Sequence, residues 1–190
     1  SFVDSLSSEA DIVALAGDIS AAEHIPETLR YFCKKFEHVI FTHGNHEFYS
    51  ATRNNIISWT FDALAENKNL YWLDNDIVTI NGQRFLGTPL WFGHQENDFL
   101  YKHQCNDFIF IPSYEDWAFE QSVKSFDFLK NNVESDDIVI SHFVPSANSF
   151  YGKFKYMTSN RFYLHNCESI IAEKKPKMWA HGHTHQSSNY

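Results

Sequence analysis

Long apolar runs, positive charge, cysteine, glycine and proline are all in short supply in this chain. Its 190 residues hold seven glycines and five prolines, too few for a collagen-like or low-complexity sequence. Hydrophobic residues at 43% and aromatics at 17% exclude intrinsic disorder. No apolar stretch approaches the roughly 18 residues of a membrane-spanning helix, and no basic segment followed by an apolar one opens the chain. Fifteen Lys and Arg face 24 Asp and Glu, for a formal charge of −9. That balance argues against a broad grip on large nucleic acids or on an anionic membrane, because such grips replace counterions with clustered cations. Cys33, Cys105 and Cys167 are odd in number, far apart and without C-x-x-C pairing, the pattern of a reducing compartment such as the cytoplasm.

Histidine is what the chain has in excess, with eleven. The length fits one domain over residues 1–190, large enough to bury a sizeable core. Asp11 to Gly17 reads as a buried strand with a turn after it. Pro26 then opens a helix carrying Leu29, Phe32 and Phe36, with Lys34 and Lys35 in its last turn. His38 to Thr42 is a second strand. Ala51 to Glu66 is a second helix, with Ile56, Ile57, Phe61 and Leu64 on one side. Short extended runs follow at 70–73, 77–80 and 84–87, the last two joined by an Asn81-Gly82 hairpin turn. Ser113 and Asp116 resemble a capping box for a helix running to about Asn131. Asp137 to Ser141 is another buried strand, 166–175 a short helix stopped by Pro176, and 177–180 a last strand. The expectation is an α/β fold with a hairpin region in the middle.

The unusual residues cluster at strand ends. Asp18 follows the first strand, Gly44, Asn45 and His46 the second, His142 the DIVIS run, and His183 and His185 the last. In open α/β sheets ligands sit outside the carboxyl ends of strands, so these segments can converge. Taken singly, Gly17-Asp18 is a common turn, Gly44-Asn45 a turn pair tolerant of positive φ, and His142 a hydrogen-bonded strand-end histidine. His181-Gly182-His183-Thr184-His185 is different, because alternate residues of an extended segment share a face and would crowd three imidazoles together. Metal ligation is the use that fits.

The ordered series Gly17-Asp18, Gly44-Asn45-His46-Glu47, the lone His142 and Gly182-His183-Thr184-His185 resembles the calcineurin-like metallophosphoesterases, with Asn106-Asp107-Phe108 and the segment 141–146 similar to its small stand-alone members. The resemblance implies a four-layer αββα sandwich with two divalent metals at the strand ends. In it Asp18 would bridge the metals, Asn45, His142 and His183 would complete one, and His185 would serve the other. Oxygen and imidazole ligands suit Mn, Fe, Zn or Mg. Such a pair would hold a bridging hydroxide for direct, in-line attack on phosphorus. His46 would be the catalytic acid for the leaving oxygen, with Glu47 a candidate carboxylate partner. Glu47 and His46 aside, His43 and His181 flank the motifs as candidate supporting residues, and His24, His38 and His165 read as ordinary surface or helix positions.

Two departures qualify the resemblance. The family's opening Asp-x-His occurs nowhere here, so either the sequence is a piece lacking the first strand, and at Tyr190 the closing strands, or the first metal site is incomplete. Ser1 in place of Met favours the piece. Asp18 and His185 alone would hold the first metal weakly, predicting metal content nearer one than two and little or no turnover. The protein phosphatases' G-D-x-x-D-R-G extension is also absent, since Gly17-Asp18 continues as Ile19-Ser20-Ala21-Ala22. A small phosphomonoester or phosphodiester is therefore the expected substrate. Trp91 to Pro112, with its aromatics, and 146–166, with Lys153, Lys155 and Arg161, are candidate specificity segments, though core packing and a solvated loop account for them as well. A non-catalytic binding scaffold is the alternative reading of the whole chain.

Overall fold

The computed structural model describes Leu6, residues 10–185 and residues 187–190. The apolar run Ile12–Ala16 forms strand β1 and His38–Thr42 forms β2, paired in parallel so that Ala16 lies beside Thr42. Between them runs helix α1, Ile25–Lys35, with Pro26 in its first turn, where the missing N–H has no helical partner to lose. Helix α2, Arg53–Glu66, begins at Thr52, whose side chain accepts the Asn55 N–H at 3.3 Å. Its buried face is Ile56, Thr60 and Ala63, while Phe61 lies outside. The spacing of large apolar residues misplaces this face because Thr60 satisfies its hydroxyl on the Ile56 carbonyl at 2.8 Å and so enters the core. Strand β3, Leu70–Trp72, completes a parallel sheet in the order β1-β2-β3.

The second sheet starts with the hairpin of β4, Asp76–Ile80, and β5, Gln83–Thr88. Asn81 and Gly82 between them have φ of 51° and 80°, the mirror-image turn that suits twisted strands. Short helices α3, Asp98–Tyr101, and α4, Asp107–Phe110, lead to α5, Tyr114–Asn132. Strand β6, Ile138–Ser141, helix α6, Glu168–Lys174, and strand β7, Met178–His181, follow. The order is β4-β5-β6-β7, with β5, β6 and β7 parallel. Ser113 makes no capping box: at φ 54° its side chain takes no cap bond, and its carbonyl accepts the Asp116 N–H instead.

Ile40, Leu73, Ile80, Phe85 and Ile140 are buried as one cluster between the sheets, and the larger apolar cluster packs the helices onto them. The layers are therefore αββα. Strand β1 is less buried than its sequence suggests: Leu15 is covered while Ala14 is exposed, because β1 pairs only with β2 among the described residues. Trp91 and Phe92, from the aromatic stretch, are buried against Tyr114, Trp117 and Phe143. Farther along that stretch Phe99, Leu100, Ile109 and Phe110 are exposed.

Candidate metal centre

The carboxyl ends of β1 and β2 in one sheet meet those of β6 and β7 in the other, and the turns beyond them supply Asp18, Asn45, His46, His142 and His183. Space is made by glycine. Gly17, at φ 78°, passes so close to His142 that a Cβ there would lie 2.6 Å from Nδ1. Gly44 is needed for proximity and not for left-handed backbone: a Cβ would meet the His142 ring and the Asp18 amide at 2.7 Å. Three of the polar residues take the left-handed conformation themselves, Asp18 at φ 56°, His183 at 70° and His185 at 53°. Such strain, on the order of 1–3 kcal/mol each, persists where surrounding structure over-determines it.

Glu47 supplies much of that determination. Fully buried, its carboxylate accepts the N–H groups of Asp18 at 2.9 Å, Ile19 at 2.6 Å, Ser20 at 3.2 Å and Gly44 at 2.6 Å. It thereby clamps the turn after β1 to the turn after β2. It is not the partner of His46, because both its oxygens are committed to backbone. The carboxylate facing His46 is Asp18, with Oδ2 4.0 Å from Nε2 and Oδ1 accepting the His46 backbone N–H at 3.0 Å.

Proton positions follow from the partners. The His142 Nδ1 lies 2.7 Å from the Ala16 carbonyl oxygen, which only accepts, so Nδ1 carries the proton. Burial lowers the pKa of His142 to about 4, so the ring is neutral and Nε2 presents a lone pair. That lone pair faces Asn45 Oδ1 at 3.0 Å, His183 Nδ1 at 3.0 Å and Asp18 Oδ2 at 3.4 Å. The Asn45 amide is oriented by Asp107, whose Oδ1 accepts from Asn45 Nδ2 at 2.7 Å. Burial, with other imidazoles nearby, holds His183 neutral as well, and its Nε2 is buried without a hydrogen-bond partner. Oxygen and imidazole lone pairs thus converge with too few protons to satisfy them. Donor atoms of Asp18, His142 and His183 lie within 4.8 Å of one another, and the amide oxygen of Asn45 joins them. This donor set fits a divalent cation, and the Nδ1–H bond from His142 to a backbone carbonyl is the usual support of a ligating imidazole.

Asp107 and Tyr49 are the residues sequence reading missed as site members. Asp107 is 2% exposed, and its Oδ1 also accepts from the Tyr49 hydroxyl at 2.8 Å. The Tyr49 ring stacks on His46 with centroids 4.5 Å apart and planes 18° apart. Asp107 thus connects the cation ligand Asn45 to the platform under His46. Asn106-Asp107-Phe108 stands out in the sequence, but only the fold shows what its carboxylate touches.

Other histidines disperse. His185 is exposed at the mouth of the cluster, close enough for its charge to act on Asp18, and stands outside the tight donor set. His181, His183 and His185 do not share a face: β7 ends at His181, and the left-handed residues after it break the alternation. His181 turns to Ser149, with Nε2 2.8 Å from Oγ. His43 points into the core, where Nε2 donates to Thr60 Oγ1 at 2.9 Å between Phe41, Phe48 and Trp72. His165 is half-buried and stacked on Phe126 with centroids 5.0 Å apart. Arg161 is held by Asp98 at 2.6 Å and by the Tyr101 ring. All three thiols are free, and burial pushes those of Cys105 and Cys167 up to about 12.

Two cavities border the cluster. One of 1270 Å³ runs along β7 past Asp18, His142 and His183; the other, of 530 Å³, is bounded by Asn45, His46, Tyr49 and His183.

The fold is that of the metallophosphoesterases, and the calcineurin-like phosphoesterase family matches residues 2–187, so the chain belongs to it. Among solved structures, a phosphopantetheinyl hydrolase from Mycobacterium tuberculosis superposes with a TM-score of 0.72 at 16% identity, over 100% of this chain and 79% of that one. A second crystal structure superposes with a TM-score of 0.58 at 15% identity, over 95% of this chain and 76% of that one. At these identities they show the shared fold. No curated protein matches in sequence. Among the described residues, no helix is long and apolar enough to cross a membrane.

Proposed function

We propose that the chain hydrolyses a small phosphomonoester or phosphodiester with divalent metal. The observation that carries this reading is the convergence of Asn45 Oδ1, His142 Nε2, Asp18 Oδ2 and His183 on one point, with the His183 Nε2 buried and unpartnered. A divalent cation held there neutralises phosphoryl charge and activates water, with Mn, Fe, Zn and Mg all suited to the donors. Asp18 and His185 both line the larger cavity and would be the residues here to hold a second cation. His46, about half exposed and flat on Tyr49, stands where it can give its proton to the leaving oxygen. The solved neighbour named as a phosphopantetheinyl hydrolase is consistent with an organic phosphoester substrate.

The test is hydrolysis of an aryl phosphodiester and an aryl phosphomonoester by the purified chain with Mn, Fe, Zn or Mg, alongside metal analysis. Metal-dependent turnover that disappears in His142→Ala supports the reading. Stoichiometric cation binding with no turnover under any metal favours the second reading, a phosphoesterase-fold binding scaffold, which the absence of any Asp-x-His in the sequence supports.

A further inference from the structure

The two cavities bordering the cluster are not equivalent, and the position of the acid separates them. His46 and its platform Tyr49 border the 530 Å³ cavity and not the larger one along β7. A leaving oxygen protonated by His46 carries its organic group with it, so that group must extend into the smaller cavity. The size is ordinary for an organic ligand, which takes roughly 300–1,000 Å³.

The walls then say what kind of group fits. Phe150, Met157 and Tyr163 give apolar and aromatic surface, Asn106 and Asn160 line it with amides, and no Lys or Arg is among the described lining residues. Arg161, the basic residue next in sequence to Asn160, is turned away: its guanidinium bonds Asp98 and the Glu96 carbonyl at 2.6 Å and lies over Tyr101 at 4.6 Å. The Lys155 ammonium lies over the Tyr156 ring at 5.7 Å. The carboxyl that lines the cavity is Asp107, its Oδ2 buried without a partner, and the imidazoles of His46, His183 and His185 stand at the end next to the cation cluster. An anionic arm reaching past that end would leave water for a wall with no Lys or Arg to pair it, an unfavourable transfer. Phosphate recognition of a second phosphoryl group would call for Arg or Lys.

We infer that the 530 Å³ cavity is the leaving-group subsite and that it selects esters whose arm is uncharged and partly apolar, against nucleoside polyphosphates and other esters with anionic arms. This rests on the phosphoesterase reading above. Substrates matched in shape test it: phenyl phosphate against 4-carboxyphenyl phosphate, followed by released inorganic phosphate. The carboxylate makes the phenolate a slightly better leaving group, so chemistry alone favours the charged ester. The expected kcat/KM is about tenfold or more higher for phenyl phosphate, with the difference in KM. Met157→Lys, which puts a cation at a half-exposed wall position, is expected to shrink that ratio at least threefold, while Met157→Leu keeps it. A ratio near one, or one unmoved by Met157→Lys, overturns the inference. If neither these esters nor an aryl phosphodiester turns over with any metal, the phosphoesterase reading fails by itself. Calorimetry on the metal-loaded chain then decides the subsite with phenylphosphonate against 4-phosphonobenzoate: preferential binding of phenylphosphonate upholds it, and equal binding, or none of either, overturns it.

Discussion

Replacing Asp107 by alanine should weaken cation binding without touching a single ligand atom. In the native arrangement Asp107 Oδ1 accepts from Asn45 Nδ2 at 2.7 Å and from the Tyr49 hydroxyl at 2.8 Å. The first bond decides which end of the Asn45 amide faces His142 and His183, because the amide can flip by half a turn at no steric cost. With Asp107 gone, Nδ2 loses its acceptor in a site where Asn45 is 3% exposed. An amide hydrogen aimed at the cation then competes with the oxygen. Loss of such an orienting partner typically lowers metal affinity about 10–100-fold, equivalent to about 1.4–2.7 kcal/mol. Calorimetric titration of the metal-free chain with Mn²⁺ reads this directly. Asp107→Asn retains an amide oxygen to accept from Asn45 and should recover most of the affinity. Tyr49→Phe removes only the second bond and should stay within about threefold of the native value. If Asp107→Ala melts like the native protein and binds Mn²⁺ equally well, or if Tyr49→Phe is as damaging as Asp107→Ala, the orientation argument is wrong.

The remaining predictions concern catalysis, packing and acid. His46→Ala should lower kcat by about 10²–10⁴ while metal content holds; loss of metal in this variant would make His46 a ligand and not an acid. Gly44→Ala forces a methyl onto the Asp18 carboxylate and the His142 ring and should cost about 1–3 kcal/mol of stability, read as a lowered urea midpoint, together with weakened Mn²⁺ binding. His43 is held neutral in the core, its pKa lowered by burial, then by the charge of Arg53, to about 3. Unfolded, it takes up a proton near its ordinary 6.5. Native protein should therefore lose stability relative to His43→Gln as pH falls below 6.5, by about 1.4 kcal/mol per pH unit down to about pH 3. A stability gap between the two that stays constant from pH 7 to 4 contradicts the buried neutral imidazole.

Much of the architecture can be read from local pattern. The apolar runs 12–16, 38–42 and 138–141, the proline opening α1 and the Asn81-Gly82 turn each specify their element through interactions between near neighbours in the chain. Misreadings occur where a distant contact decides. Phe61 has the spacing of a core residue yet is exposed, since Thr60 is satisfied by its own helix and by His43. Ser113 looks like a cap, but the chain enters α5 through a left-handed residue. Burial of β1 depends on which strands flank it, which nothing in five residues encodes.

The site divides along the same line. Residue types and order alone bring Asp18, Asn45, His46, His142 and the histidines after the last strand to one end of the sheets; the resemblance to the family is what makes Asp18, Asn45, His142 and His183 candidates for one cation and His46 for an acid. Tertiary structure decides the rest: that Glu47 binds four backbone amides instead of His46, that His181 and His43 point elsewhere, and that Asp107, 62 residues from Asn45, sets its amide. A motif specifies which donors are present. Which lone pair faces which proton is settled by hydrogen bonds between segments far apart in the chain, and those exist only once the two sheets have closed on one another.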